Sequence, residues 1–370
     1  LLVRGSDLIA GTHGRSIWIL DDLTPLRDLA DGLPDSETRL FPPRETLRVL
    51  PGLDWSGSVA GTMNYLAGRS GGFTVETTPD GELLRNYLDA GENPPSGAIV
   101  TYRLVKEPEE PITLTLRRKD GSEVRTFSSR TADDPPTAKQ RRIPAQAGWN
   151  RFVWDMRHAP ATKIEGTDEV AEKAIEGPIV APGDFTVTLK TGATELTQPF
   201  RIVKPRQLTA SQADLDAQED LLVRIHRSVD RLATTINFMR DLRAQIDGLV
   251  KRTKERNGGD KVSAAAEALR DRVLELEKTL VVPDLRPGWA DAINEGARLW
   301  EKLTGLSAVV ALGDYPPTDA AEAVFTDLTK KIERQRAQID KVLAEDLATF
   351  NKQATRAKLG MILAPMMVGD

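Results

Sequence analysis

The apolar residues of this chain change their period once, near residue 206, and that change restricts the fold more than any motif. Before it, apolar positions recur at every second residue in runs of five to nine. "PITLTLRR" (111–118) alternates Ile112, Leu114 and Leu116 with threonines and an arginine, and "WNRFVWDM" (149–156) alternates Phe152 and Trp154 with Arg151, Val153 and Asp155. "GDFTVTLKTGATELTQPFRIV" (183–203) puts Phe185, Val187 and Leu189 on one face, turns at Thr191-Gly192 and returns through Phe200 and Ile202. Asp120-Gly121 is a hairpin turn by composition. Strict alternation reads as half-buried strand. After residue 206, Leu222, Ile225, Val229, Leu232, Ile236, Met239, Leu242, Ile246 and Leu249 step by three and four. That spacing lays one apolar stripe along a long helix. The fold class expected is multi-domain β plus α.

Turn and cap residues divide the chain further. Residues 94–205 read as an antiparallel β-sandwich of ~100 residues, with 128–142 a polar surface loop and "TKIEGTDEVAEKAIEG" (162–177) an insertion. Residues 206–355 read as an up-down bundle of four helices. The first begins near Thr209 or Ser211, either of which can cap it, and stops at "NGG" (257–259). The second covers about 260–280, before Pro283. The third covers about 288–305, carries Trp289, Ile293 and Trp300, and ends near Gly305. The fourth covers about 318–352 after "GDYPPTD", and 356–370 form a tail. Upstream, "DLIAGT" and "SIWIL" are short apolar strands joined by a tight turn at "HGR". Residues 41–93 read as an extended connector with ordered loops, since "PGLDWSGSVAGTMNYLAGRSGGFTV" holds too many glycines for a helix.

Composition excludes several functions. The chain has 370 residues, 40% hydrophobic and 28% charged, which is core material enough for two or three domains. Its net charge of -5 comes from interspersed acids and bases, so no basic stripe for nucleic acid is expected. No apolar run approaches the ~20 residues of a membrane helix. Absence of cysteine removes disulfides, thiolate nucleophiles and cysteine-ligated metals. No histidine has a second histidine or a carboxylate at metal-ligand spacing, and no phosphate loop or nucleophile elbow is present. No cofactor is expected. The chain opens with Leu1 inside a strand-like pattern, which reads as a cut rather than a natural beginning.

Two stretches carry candidate ligand residues. "GTHGRSIWILDD" (11–22) offers His13, Asp21 and Asp22 as base and acids or as metal ligands, with Arg15 beside His13 as a further candidate for ligand contact. A glycosidase pair needs two carboxyls ~5–9.5 Å apart, whereas adjacent Asp21 and Asp22 on a strand point to opposite faces. The alternative is a sheet edge on which His13 and Arg15 satisfy a turn and Asp22 caps the helix at "LTPLRDL". In "WNRFVWDMRH" (149–158), Trp149 or Trp154 can stack on a sugar while Asp155 and Arg157 bond its hydroxyls. The alternative buries Phe152 and Trp154 in the core and leaves Trp149 partly exposed at the strand start.

The order "DLIAGTHGRSIWILDDLTPLRDL", "LFPP", "ENPPSGAIVTYRL", "AGWNRFVWDMRHAP", "GPIVAPGDFTVTL", then a helical tail, resembles the C-terminal part of large bacterial BNR-repeat glycosyl hydrolase-like proteins built on a sortilin-like β-propeller. The sandwich alone, through "GWNRFVWD" and "PGDFTVTL", is similar to the Ig-like domain of flagellar hook-capping proteins. The resemblance implies that residues 1–40 are the end of a last propeller blade, with sandwich and bundle appended. It departs from the Asp-box repeat Ser-x-Asp-x-Gly-x-x-Trp, because Arg15 stands three before Trp18 where Gly belongs. No catalytic residue is carried over. The function expected is a non-catalytic C-terminal structural and interaction region of such a propeller protein. The alternative is an accessory, carbohydrate-binding portion of a glycoside hydrolase whose active site lies upstream. Expected partners are the upstream propeller of the same polypeptide and a protein, or a second copy, on the bundle. The resemblance implies export to periplasm, medium or cell surface.

Overall fold

The computed structural model describes residues 1–29, 32, 37–49, 63–65, 72–77, 83–88, 95–129, 142–165, 174–254, 260–282, 296–357 and 361–362. They divide into two compact units: Leu1–Ala159 with Ile179–Thr209, and Pro160–Pro178 with Ala210–Asp370. Sheets occupy the first and long helices the second, so the chain is mixed β plus α.

In the first unit β1 (Leu2–Arg4), β2 (Asp7–Gly11) and β3 (Ile17–Leu20) form an antiparallel sheet. The turn between β2 and β3 contains Gly14 at φ 74°. A five-stranded sheet follows the order β11-β10-β13-β14-β5, from β5 (Thr46–Leu47), β10 (Thr113–Arg118), β11 (Glu123–Ser128), β13 (Gly183–Thr191) and β14 (Thr194–Val203). A three-stranded sheet follows the order β12-β9-β4, from β4 (Arg39–Leu40), β9 (Ala98–Leu104) and β12 (Gly148–Trp154). The five- and three-stranded sheets bury a shared apolar cluster that includes Leu114, Leu116, Val187 and Leu189 from one, and Val100, Tyr102, Phe152 and Trp154 from the other. Every apolar face read from alternation in 111–118, 149–156 and 183–203 lies in this cluster. The Asp120-Gly121 turn joins β10 to β11, with Ser122 N–H donating to Asp120 Oδ1 at 2.9 Å.

Residues 39–49 do more than connect. β4 pairs antiparallel with β9 and β5 pairs parallel with β14, so this segment adds an edge to each sheet. Arg48 is buried and its Nε donates to the Val180 carbonyl at 2.8 Å. The glycine-rich stretch expected as a loop contains β6 (Met63–Tyr65) and β7 (Gly72–Thr77), which pair with each other and with β8 (Leu83–Tyr87). Glycine count hid a local alternation there: Phe73 and Val75 are buried on one face of β7. The remainder of 50–62 and 66–71 lies outside the described residues, as does most of the 128–142 loop.

The second unit holds α2 (Gln212–Lys254), α3 (Asp260–Leu280), α4 (Leu299–Val310), α5 (Asp319–Lys341) and α6 (Ala348–Arg356), after the short α1 (Thr24–Arg27) of the first. Ser211 and Asp214 cap α2 reciprocally: Asp214 N–H donates to Ser211 Oγ at 3.2 Å and Ser211 N–H to Asp214 Oδ2 at 2.8 Å. This capping satisfies donors that the helix cannot. All nine stripe residues of α2 are buried in one cluster with Leu269, Val273, Trp300, Leu303, Phe325, Leu328 and Phe350. Thr318 caps α5 by accepting from Ala321 N–H at 3.2 Å. A π-helical turn, Val342–Leu347, carries α5 into α6 without a break in αR geometry.

The third helix departs from expectation. It starts at Leu299 and runs through Gly305 to Val310. Its start is fixed by Glu301, whose Oε2 accepts Arg298 N–H at 2.8 Å. Gly305 is accommodated inside the helix because Leu303, Leu306 and Val310 bury around it, and burial outweighs a glycine penalty of ~1 kcal/mol. Trp289 and Ile293 lie outside the described residues.

Residues 160–178 interrupt the sheet-forming segment yet belong with the helices. Ala161, Ile164 and Ile175 enter the helical core. Polar clasps reinforce them. Thr162 N and Oγ1 both donate to Asp230 Oδ1 at 2.7 Å, and Glu165 N–H donates to Asn237 Oδ1 at 2.9 Å. Asn237 Nδ2 donates to the Lys163 carbonyl at 2.8 Å, and Arg240 donates to the Glu165 carbonyl. Asp230, Asn237 and Arg240 share one face of α2 through 3.6-residue spacing.

Candidate functional site

The opening stretch is a hairpin whose turn is held by one backbone bond and by two side-chain donors that reach turn carbonyls. Thr12 N–H and Oγ1 donate to the Ser16 carbonyl at 3.2 and 2.8 Å, and Trp18 Nε1 donates to the Arg15 carbonyl at 3.0 Å. His13 and Arg15 are exposed on this turn. Asp22 sits at the other end of β3 with φ 64°, where its N–H donates to Asp7 Oδ1 at 3.0 Å and its Oδ1 accepts Thr24 N–H at 3.1 Å. It closes the turn before α1 by this i to i+2 bond, but the N-cap position of α1 is Leu23 and has no side-chain cap bond, so Asp22 is not the helix cap that the sequence suggested. Asp7 is also paired with Arg44 at 2.9 Å. The four residues of β3, at ~3.3 Å each, keep His13 and Arg15 about 13 Å or more from Asp22. The structure does not bring these candidates together.

Strand β12 separates the second group in the same way. Trp154 is fully buried, its Nε1 donating to the Arg157 carbonyl at 2.9 Å, and its ring packs edge-on to Phe185 at 5.8 Å. Asp155 Oδ1 accepts Arg157 N–H at 3.2 Å and pairs with Arg125 at 3.5 Å, while the Arg125 guanidinium lies 4.4 Å from the Phe127 centroid. Asp155 and Arg157 thus form the corner that follows β12, with Met156 between them at φ 59°. Trp149 lies at the opposite end of the strand, six residues away and about 20 Å at ~3.3 Å per residue. One sugar ring cannot reach both ends.

Trp149 keeps 48% of its surface and stacks on buried Phe41, with centroids 5.0 Å apart and planes at 19°. Cross-strand register puts Arg103 beside Trp149 and Arg39 beside Arg103. The Arg39 guanidinium lies 5.5 Å from the Phe41 centroid, and Arg103 Nη1 donates to the Glu37 carbonyl at 3.3 Å. Arg151, exposed, shares this face two residues along β12. Alternation alone places Arg151 with Trp149. The contributions of Arg39, Phe41 and Arg103 depend on strand register and carry no local sequence signal.

Inside the sheet core, burial pushes the Tyr102 phenol well above its usual 10.0, and its hydroxyl donates to the Pro144 carbonyl. In the helical unit, Arg240 Nε and Arg243 Nη2 close on Glu277 at 2.8 and 2.6 Å, with Glu277 fully buried. Sequence reading did not single out this cluster, because it forms only when α2 and α3 pair. Among the described residues, no group of three or more histidines or carboxylates is placed to hold a metal ion, and no helix is long and apolar enough to cross a membrane. No family model and no curated protein matches the chain.

Proposed function

We propose that this chain is the non-catalytic, C-terminal structural and interaction region of a larger exported protein with a sortilin-like propeller. In this reading, the two sheets over one core are an Ig-like antiparallel sandwich and the helices an antiparallel bundle. The sheet β1–β3 is the observation that carries it. All four residues of β3 are apolar and exposed, Ile17 at 69% and Trp18 at 66%, and Leu2 and Val3 on β1 are exposed as well. Successive strand residues point to opposite faces, so β3 is apolar on both. A strand of that kind belongs where both faces are covered, as in a blade stacked between its neighbours. Exposed apolar clusters of this extent mark interaction surfaces. Val309, Leu312, Tyr315 and Val324 are a second exposed apolar group, around the α4–α5 connection, and support a partner or second copy on the bundle. Hydroxyl-radical footprinting tests the first surface: Ile17–Leu20 should label strongly in the isolated chain and be protected in the native polypeptide. Equal labelling in both refutes the blade assignment.

A second reading, an accessory carbohydrate-binding role, is favoured by one observation, the half-exposed ring of Trp149 held by Phe41. Titration with neutral oligosaccharides should then change tryptophan fluorescence in this chain and not in Trp149→Ala. No change at millimolar sugar removes neutral-sugar binding by this ring.

A further inference from the structure

Strand β3 is open along one edge as well as on its faces. The sheet order is β1-β2-β3, so one side of β3 pairs with β2 and the other pairs with no strand among the described residues. The turn shows which backbone groups face outward. Thr12 N–H donates to the Ser16 carbonyl at 3.2 Å, and the ladder continues as Gly11↔Ile17, Ala10↔Trp18, Ile9↔Ile19 and Leu8↔Leu20. Bonded and non-bonded pairs alternate in an antiparallel ladder. Trp18 and Leu20 therefore bond to β2, while the N–H and C=O of Ile17 and Ile19 point away from it. The same count leaves only Val3 facing outward on β1. Soluble proteins blunt open edges with charge, proline or a bulge. The sequence of β3, Ile-Trp-Ile-Leu, has no charge and no proline, and all four residues are exposed.

We propose that this edge pairs with the same edge of a second copy of the chain, antiparallel about a two-fold axis at Trp18. In that register Ile17 faces the second copy's Ile19, and Ile19 faces its Ile17. Each of these pairs exchanges both backbone bonds, so all the outward groups of Ile17 and Ile19 are satisfied. Trp18 meets its own counterpart in the non-bonded pair between them, where Cα atoms stand ~4.5 Å apart and aromatic side chains interact closely. The same axis sets Arg15 beside the second copy's Asp21 at both ends, so opposite charges meet although the two edges are identical. Moving the axis to Ile17 or to Ile19 sets Ile19 against Arg15, or Ile17 against Asp21, and loses half of the bonds. The pairing is isologous and closed, which joins the two sheets and keeps the apolar edge from propagating a fibre. It occupies the edge and leaves both faces of β3 to solvent, so the inference is independent of the blade assignment.

The test is sedimentation velocity of the intact chain at low salt, from about 5 to about 500 µM, the range suited to a small interface. The sedimentation coefficient should rise with concentration toward that of a dimer. Ile19→Pro removes an outward donor that β2 does not use, at an edge position where proline is tolerated. It should weaken dimerisation at least about ten-fold through the bonds lost, with circular dichroism unchanged. Arg15→Glu and Asp21→Arg should each weaken it about ten-fold by setting like charges across the axis. An equimolar mixture of those two variants should restore it. The chain has no cysteine, so Trp18→Cys reads the register directly. It should oxidise to a disulfide-linked dimer, at a Cα separation that a disulfide spans, much faster than Leu20→Cys. A monomer at every concentration overturns the proposal. Association that Ile19→Pro and both charge variants leave intact also overturns it, because the contact then lies elsewhere on the chain. Equal cross-linking from positions 18 and 20, or a mixture that fails to recover the dimer, overturns the axis at Trp18 and the proposal with it.

Discussion

Ile164 lies in sequence among sheet-forming residues and in space among helices, so its replacement by alanine separates the two descriptions. It is 1% exposed and packs in the cluster that α2 to α6 bury. Ile164→Ala removes three carbon atoms, worth ~0.8 kcal/mol each in transfer, or about 2.4 kcal/mol. The cavity left behind brings the expected loss to about 3 kcal/mol, inside the ~2–5 kcal/mol range for such truncations. For a unit of 150–250 residues, ~2–4 °C is lost per kcal/mol, so the helical transition should fall by about 6–12 °C. Calorimetry gives the transition and hydrogen exchange assigns it: amides of Gln212–Lys254 should exchange faster, while those of Gly183–Val203 keep their protection. A matched truncation in the sheet core, Val187→Ala, should give the converse. Faster exchange in β13 and β14 with α2 unaffected would refute the assignment of 160–178 to the helical unit.

Three further outcomes follow from buried polar groups and backbone. Tyr102→Phe strips the donor from the Pro144 carbonyl and should cost about 1–3 kcal/mol at neutral pH. Because the folded phenol titrates above its unfolded value of 10.0, wild-type stability is whole below that pH and declines above it; urea melts from pH 8 to 11 should show this decline in wild type and a flatter profile in the variant. Gly97 has φ 149°, and a Cβ there would lie 2.2 Å from the Trp154 carbonyl oxygen, so Gly97→Ala should cost more than about 3 kcal/mol, read as loss of near-ultraviolet ellipticity. Glu277→Gln leaves Arg240 and Arg243 without their carboxylate; their partial exposure, 17% and 24%, holds the cost near the lower end of ~3–5 kcal/mol, and it should appear in the helical transition alone.

Periodicity made the cores legible. The α2 stripe and the inward faces of β10, β12, β13 and β14 follow from spacing, because one element's own residues decide which side meets water. Capping chemistry placed the starts of α2 and α5 for the same local reason. What stayed hidden depends on partners remote in sequence. β4 and β5 are two residues each and exist only by pairing with β9 and β14. The 160–165 clasp on Asp230, Asn237 and Arg240 joins positions some seventy residues apart, so an apolar triplet of small count read as an insertion. Gly305 misled because glycine stops a helix only where packing does not hold it. Among the site candidates, sequence proximity suggested that Trp149, Asp155 and Arg157 act together; strand rise separates them, and register gathers Arg39, Arg103 and Phe41 around Trp149 instead.

We propose that the exposed strands of residues 1–20 are the end of a larger propeller. The most direct measurement is the intact mass of the native protein, captured from its source with an antibody raised to this chain and sequenced by peptide mass spectrometry. A species well above 40.6 kDa is expected, with peptides that precede Leu1 and carry propeller repeats. A native species of about 40.6 kDa beginning at Leu1 would contradict it, and His13, Arg15 and Asp22 would then have to be reconsidered as parts of a site completed by other groups.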